Sequence, residues 1–281
     1  MNVHALLYEA QTALAKSVSV SEAKLEAQLL LQHALGVNRA WLIAHENYAL
    51  EANTHTAYRA MLKRRLNGEP IAYILGYREF YGLKLKVTPA TLIPRPDTET
   101  LVEATLNKIP QHEKSRILDL GTGTGAIALA IAKHRPNAHV TATDASQAGL
   151  DVAMENAADL NIPNVNFMLS DWFANLGDAK FDVIVSNPPY IEQNDRHLKQ
   201  GDLRFEPISA LTSGIDGLDD IRKIINSAPP HLNPYGCLLL EHGYNQAIAV
   251  ADLLKQASFV EIETVKDLGG NDRITLGVMR A

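Results

Sequence analysis

Of 281 residues only one is a cysteine, Cys237, so no internal disulfide can hold this chain together. It lies in the apolar run GCLLLEHG, where a small buried side chain is expected rather than a nucleophile. No apolar run approaches the roughly 20 residues that cross a bilayer. The N-terminal stretch MNVHALLYEAQTALAK lacks the basic start, apolar block and small-residue cleavage site of a secretory signal. These absences point to a cytoplasmic location and no membrane. Ten histidines show no metal-ligand spacing with carboxylates or with the cysteine, so no metal is expected. Internal repeats and low-complexity segments are also missing. What remains, 46% apolar and 21% charged, is ordinary for a globular chain and leaves material for a sizeable core. The length suits one large domain and a small one.

Charge divides the chain unevenly. Residues 1–86 carry ten Lys/Arg against seven Asp/Glu, and the remainder sixteen against twenty-five. An acidic main body argues against a broad duplex-binding face, which needs clustered cations. The basic group Arg59, Lys63, Arg64 and Arg65 reads as a solvated helix face, with a patch for a charged partner as the other reading.

Residues 2–67 are helical in pattern. Leu25, Leu29, Leu30, Leu31 and Leu35 share one run behind Ser21 as an N-cap, and a second helix runs from Asn53 or Thr54 to Leu66 before Asn67-Gly68. This predicts a small helical bundle over 1–70. Residues 71–95 alternate and carry turn residues, which suits a β-hairpin connector. From Arg116 onward short β-rich runs alternate with helical ones: RILDL, HVTATD, VNFMLSD, FDVIVS, GCLLLEH, FVEIETV and RITLGVM. Apolar strands separated by helices imply an α/β domain over 96–281 with a mostly parallel sheet covered on both faces. The last two strands, joined only by KDLGGND, are too close for a right-handed crossover and should be antiparallel.

Asp119-Leu120-Gly121-Thr122-Gly123-Thr124-Gly125 follows a strand and opens a helix, where glycines permit a tight turn and close approach of a ligand. Asp144 ends the next strand, where an acid meets ribose hydroxyls in such sheets. GTGTGA satisfies a dinucleotide pattern, so NAD stays open on spacing. Asp119, however, would repel phosphates and could pair with an ammonium, which favours S-adenosylmethionine. From the loop alone both remain.

The fourth strand ends in Asn187-Pro188-Pro189-Tyr190. Two prolines fix two φ angles and remove two donors, leaving the Pro188 carbonyl rigid and unpaired. The Asn187 side chain adds a second acceptor, and together they suit the two hydrogens of a planar NH₂ group. Tyr190 offers a face for stacking a planar amide or base. An amide nitrogen is a poor nucleophile, so holding its hydrogens against acceptors and aiming its lone pair at a methyl donor is catalysis by position and fixed dipoles. The plainer reading of the tetrapeptide is a strand-ending turn.

With GYREFYG at 76–82, PRPDTE at 94–99, DLGTGTGAIALA at 119–130, SDWF at 170–173, SNPPY at 186–190, EPISAL at 206–211, DGLD at 216–219, LEHG at 240–243 and NDR at 271–273, the chain resembles the release-factor glutamine methyltransferases, the HemK/PrmC family, over nearly its whole length. The resemblance implies a class I S-adenosylmethionine-dependent methyltransferase fold, a Rossmann-like seven-stranded sheet. It implies S-adenosyl-L-methionine as cofactor, S-adenosyl-L-homocysteine as product, and class-1 peptide chain release factors as protein substrates. The methylated group would be the N5 amide of the glutamine in their Gly-Gly-Gln motif. By the family's pattern Gly121, Thr122, Gly123, Thr124 and Gly125 wrap the methionine part of the cofactor. Asp144 holds the ribose hydroxyls, and Asp171 with Trp172 flanks the adenine. Asn187, Pro188, Pro189 and Tyr190 hold the substrate amide. The N-terminal helices would help to bind the substrate, and Arg95, Pro96 and Glu99 would shape the mouth of the site. NPPY alone also occurs in methyltransferases of nucleobase amino groups, a rival that would need a basic groove or a base-extrusion module. Glu241 and His242 are expected in structural roles, and no direct nucleic-acid substrate is expected.

Overall fold

The computed structural model describes residues 1–280 as two compact units, Met1–Gly76 and Tyr77 onward. The first holds five helices: α1 (Val3–Leu14), α2 (Val20–Leu35), α3 (Arg39–Ala44), α4 (Ala52–Leu66) and α5 (Ile71–Leu75). The N-cap of α2 is Ser19, not Ser21. Its hydroxyl accepts from the Glu22 N–H and the Glu22 carboxylate accepts from the Ser19 N–H, a reciprocal capping box that Ser21 has no acid at the right spacing to form. Gly36 ends α2 at φ +67. Leu6, Ala10, Leu14, Ala27, Leu30, Leu31 and Tyr58 fill the bundle core, whereas Leu25 faces solvent. Three of the four clustered cations are paired within the bundle: Arg59 with Glu9, Arg64 with Glu69 and Arg65 with Glu26.

The hairpin is shorter than the alternation implied. Residues 71–75 continue as helix α5, and only β1 (Tyr77–Phe80) and β2 (Leu83–Lys86) pair, antiparallel. Its inward residues Phe80, Leu83 and Leu85 are buried in the core of the second unit. Asn156 clamps its end, accepting from the Lys86 N–H at 2.7 Å and donating to the Lys86 carbonyl at 3.1 Å.

Beyond it come α6 (Glu99–Lys108), β3 (Arg116–Leu120), α7 (Ala126–His134), β4 (His139–Asp144), α8 (Gln147–Asp159), β5 (Val165–Leu169), β6 (Phe181–Ser186), α9 (Asp219–Ser227), β7 (Leu232–Glu241), α10 (Ala247–Gln256), β8 (Val260–Lys266) and β9 (Asp272–Val278). The seven strands β3–β9 form one sheet in the order β5-β4-β3-β6-β7-β9-β8. Strands β3 to β7 pair in parallel, and β9 runs antiparallel to both β7 and β8. One face is packed by α6, α7, the hairpin and part of α8, with Ile117, Leu129, Val185 and Leu239 at its centre. The other is packed by α9 and α10 through Ile221, Ile224 and Val250 against Leu118, Ile184 and Leu238. Cys237 is buried among these strands, and burial pushes its thiol up to about 11, so it carries no reactive thiolate. Among the described residues no helix is long and apolar enough to cross a membrane.

Candidate active site

The sheet reverses its winding between β3 and β6, the place where open α/β sheets open a crevice beyond their strand ends. Here lies a cavity of about 410 Å³, within the usual range for small-molecule sites. Gly121 and Gly123, Asp144, Asp171 and Trp172, and Asn187 and Pro189 all line it.

Both the Gly121 and Thr122 N–H groups donate to the Thr143 carbonyl at 2.9 Å, which folds the loop back over β4. Gly121 sits at φ +72, and a Cβ there would meet the Trp172 ring at 3.4 Å, so the backbone itself forms the cavity wall. Thr122, Thr124 and Gly125 lie under the loop and do not line the cavity. The Thr122 hydroxyl donates to Asp119 at 2.6 Å, the Thr124 carbonyl accepts from Asn156 at 2.9 Å, and Gly125 caps α7 at φ +80. Asp119 is wholly buried, so it does not meet a ligand's ammonium as the sequence suggested. It braces the loop instead, also accepting from the Ala128 N–H, and burial pushes its carboxyl up to about 7.

Asp144 accepts from the Gly123 N–H on one oxygen and from the Ser146 N–H on the other, each at 2.8 Å. Each oxygen keeps capacity for a further donor, which fits a pair of hydroxyls on a sugar. Ser170 binds this edge to the next. Its N–H donates to the Asp144 carbonyl, and its hydroxyl donates to the Trp172 carbonyl at 2.9 Å while accepting from the Asn175 N–H. Those bonds hold Trp172 at φ +48, an uncommon conformation for an aromatic residue, with its ring on the cavity.

The Ser186 hydroxyl ties the end of β6 to the Leu120 carbonyl at 2.7 Å, placing NPPY beside the glycine loop. The Asn187 amide donates through Nδ2 to the Thr98 hydroxyl at 3.2 Å, which leaves Oδ1 as an acceptor. Among the described residues no backbone donor pairs with the Pro188 carbonyl. Neither Pro188, which is buried, nor Tyr190 is among the residues lining the cavity. Tyr190 packs into the core beside α9, and its hydroxyl donates to Glu241 at 3.1 Å. Its carbonyl accepts from Gln246 at 3.1 Å, and Gly217 packs directly against it.

Several participants carried no individual assignment in the sequence. The Ala90–Leu92 and Pro207–Ala210 segments face the cavity, and the buried Glu206 joins them by pairing with Arg95 and accepting from the Ile93 N–H at 3.1 Å. Burial raises the Glu206 pKa, and the Arg95 charge opposes that rise. Glu99 accepts from the Tyr81 N–H at 2.9 Å and so fixes the hairpin turn, and Pro96 opens the short 3₁₀ turn Pro96–Thr98. Glu241 is buried, and its carboxyl is pushed up to about 7 by burial against the opposing pull of the Thr98 and Tyr190 hydroxyls and Arg273. His242 is fully buried between Thr275 and the Gly243 carbonyl, and burial lowers its pKa, so it is neutral and structural. The signal for Glu206 was present: a glutamate in EPISAL and an arginine in PRPDTE, the two motifs that now form one ion pair.

A Rossmann-like seven-stranded sheet with a glycine loop after its first strand, an acid after its second and NPPY after its fourth defines a class I S-adenosylmethionine-dependent methyltransferase. Residues 97–203 match the Methyltransferase small domain, and residues 5–76 match the PrmC N-terminal domain. The chain is 49% identical to the release factor glutamine methyltransferase of Vibrio cholerae over 99% of its own length and 96% of that protein's. It is also 49% identical to the one from Xylella fastidiosa, over 90% and 92%. Among solved structures a methyltransferase from Pyrococcus furiosus, 20% identical, shares the fold with a TM-score of 0.55, covering 78% of this chain and 98% of that one. The chain belongs to the release factor glutamine methyltransferase family.

Proposed function

We propose that this chain transfers the methyl group of S-adenosyl-L-methionine to the side-chain amide nitrogen, N5, of the glutamine in the Gly-Gly-Gln motif of class-1 peptide chain release factors, modulating translation termination. The observation that carries this reading is the Asn187 amide. Asn187 lines the cavity, and with its NH₂ engaged by Thr98 its oxygen is left as an acceptor.

Gly121 and Gly123 would receive the methionine part of the cofactor, Asp144 the ribose hydroxyls, and Asp171 with Trp172 the adenine. When bound, the cofactor supplies a methyl carbon on a sulfonium, whose sulfur leaves with the bonding electron pair as a neutral thioether. Asn187 Oδ1 and the Pro188 carbonyl take one hydrogen each from the substrate NH₂. This orients the nitrogen lone pair at the methyl and stabilises positive charge as the N–C bond forms. The surplus proton leaves the nitrogen for water, so no general base is assigned. Pro189 keeps the acceptor pair rigid, and Tyr190, anchored on Glu241 and Gln246, holds the turn from behind. A protein rather than a nucleic acid as substrate is supported by the net charge of −6, and a cytoplasmic location belongs to the same proposal.

Incubation of the protein with labelled cofactor and a purified class-1 release factor should place the label on the Gly-Gly-Gln glutamine, as read by mass mapping. Asn187→Ala should leave cofactor affinity intact and lower turnover by about 10²–10³-fold, comparable to losing one fixed oxyanion donor. Label in RNA or DNA and none in the release factor would overturn the proposal, as would normal turnover by Asn187→Ala.

A further inference from the structure

We propose that Asn156 is a positioning residue for the cavity: its one buried carboxamide anchors both the glycine loop and the connector segment that line it. Asn156 lies on α8, is 1% exposed and does not itself line the cavity, so it acts through what it holds. Its effect on the methyl acceptor rests on a release factor being the substrate. Its effect on the cofactor does not.

A carboxamide is a side-chain copy of a peptide group, with an acceptor oxygen and two donor hydrogens. In an antiparallel pair, alternate residues turn both their backbone groups away from the partner strand. Lys86, which ends β2 opposite Tyr77, offers both of these groups to Asn156. Oδ1 accepts from the Lys86 N–H at 2.7 Å, and Nδ2 donates to the Lys86 carbonyl at 3.1 Å. The side chain thus stands where a third strand of the hairpin would pair. Its other hydrogen goes elsewhere, from Nδ2 to the Thr124 carbonyl at 2.9 Å. Serine has one hydrogen to give and an ionised aspartate none, so neither holds both carbonyls at once.

Each end of this clamp leads to residues on the cavity. Thr124 adjoins Gly123, which lines the cavity and gives its N–H to Asp144. The helix backs this loop closely, since a Cβ on Gly125 would fall 3.2 Å from the Ala153 side chain, one turn before Asn156. On the other side, Lys86 leads into the lining segment Ala90–Leu92, and the Ile93 N–H beyond it is fixed to Glu206 at 3.1 Å. Asn156 and Glu206 therefore bracket that segment. Without the carboxamide, the Lys86 and Thr124 carbonyls lose their donor and the two sets of lining residues relax. The cavity then holds its binding shape for part of the time, and apparent affinity falls by that fraction. Saturating ligand selects the shaped state, so chemistry at Asn187 keeps its rate. The loss falls on binding, not on kcat.

Calorimetry with S-adenosylhomocysteine reads the cofactor side, and steady-state methyl transfer to a purified class-1 release factor reads the acceptor side, each well below the Tm of the variant. Asn156→Ala should weaken cofactor affinity by about 10-fold and raise KM for the release factor by about 3–10-fold, with kcat within about 2-fold of wild type. Asn156→Asp should lose at least as much, because it keeps the shape and lacks the hydrogens. Asn156→Ser, with one hydrogen, should fall between wild type and Asn156→Ala, and it carries the test if the others do not fold. Two controls separate this role from mere stability. Glu155→Ala removes the ion pair to Lys86 Nζ and leaves the carboxamide in place. Val140→Ala opens the core near the start of β4, at the far end of that strand from Asp144. Both should keep wild-type cofactor affinity and KM, the second despite a lower Tm. Wild-type cofactor affinity in a folded Asn156→Ala or Asn156→Ser, an equal loss in Val140→Ala, or a fall confined to kcat would overturn the proposal. Weakened cofactor binding with an unchanged KM would overturn the shared anchor. If wild-type protein transfers no methyl group to the release factor, the substrate reading fails, and calorimetry still decides the role of Asn156.

Discussion

Gly217→Ala is a one-carbon change outside the cavity, and the structure assigns it a large effect on turnover. Gly217 lies at φ +74 in the strap before α9, and a Cβ built there would fall 2.3 Å from the Tyr190 carbonyl oxygen and 2.8 Å from Gln246 Nε2. Ordinary contact begins at 3.4 Å, so Cβ and oxygen must part by the difference, about 1.1 Å. The oxygen cannot withdraw freely, because Gln246 holds it at 3.1 Å and the neighbouring prolines fix the chain before it. The displacement passes to the Pro188 carbonyl, two residues away. A shift of about 1 Å at a positioning group costs on the order of 10²-fold in rate, or about 2.7 kcal/mol of barrier. Alanine at positive φ adds about 1–2 kcal/mol of backbone strain, and overpacking about 1–3 kcal/mol. For a unit of this size that lowers Tm by roughly 4–20 °C, since each kcal/mol is worth about 2–4 °C. Turnover on a release factor should fall about 10²-fold, while calorimetry finds cofactor affinity nearly unchanged, because Asp144 and the glycine loop lie across the cavity. A folded variant with wild-type turnover would mean that the strap yields instead of the NPPY turn, and the rigidity argued for the acceptor pair would be wrong.

Asp144→Ala should weaken cofactor affinity by about 10–100-fold, since it removes the proposed ribose acceptor and leaves the Gly123 and Ser146 N–H groups without partners; unchanged binding of S-adenosylhomocysteine by calorimetry would refute the assignment. Asp119 should make stability depend on pH. Its folded carboxyl titrates at about 7, above its ordinary value of 3.8 because of burial, so its contribution is fully present below about 3.8 and is lost as pH rises through about 7. The Tm of Asp119→Asn should therefore gain on wild type between pH 4 and pH 8 and level off above, and a constant difference across that range would show that the carboxyl is not held protonated.

How much of this was legible beforehand depended on the range of the interaction. Every strand of the large sheet stood out as a short apolar run bounded by turn residues, and KDLGGND required the antiparallel pair, because chain length and periodicity are local properties. The glycine loop, Asp144, Asp171, Trp172 and Asn187 converge on one cavity because each ends a strand at the same rim. The hairpin boundary and the α2 cap were misplaced for a local reason: Ile71–Leu75 alternates poorly and is a one-turn helix, and Ser19 outcompetes Ser21 through Glu22. What could not be read were partnerships across long separations. Arg95 with Glu206, Thr98 with Asn187 and Tyr190 with Glu241 join residues 111, 89 and 51 positions apart. Nothing in local pattern links them. The inward turn of Tyr190 was hidden similarly, since its apolar body and polar tip suit a binding face and a core with a buried acceptor equally well.

The reversed strand β9 has a kinetic consequence. Strand β8 has no sheet neighbour except β9, which follows it in the chain and sits between it and β7. During synthesis β8 must wait unpaired until β9 emerges, after which the two can close as a hairpin within microseconds and dock together onto the open edge of β7. That docking also brings Arg273, near the start of β9, to the rim beside Asp97. Sheet completion and the arrival of the cation that steadies Glu241 are thus one event, and a nascent chain lacking the hairpin would leave Glu241 and Asp97 without that counter-charge.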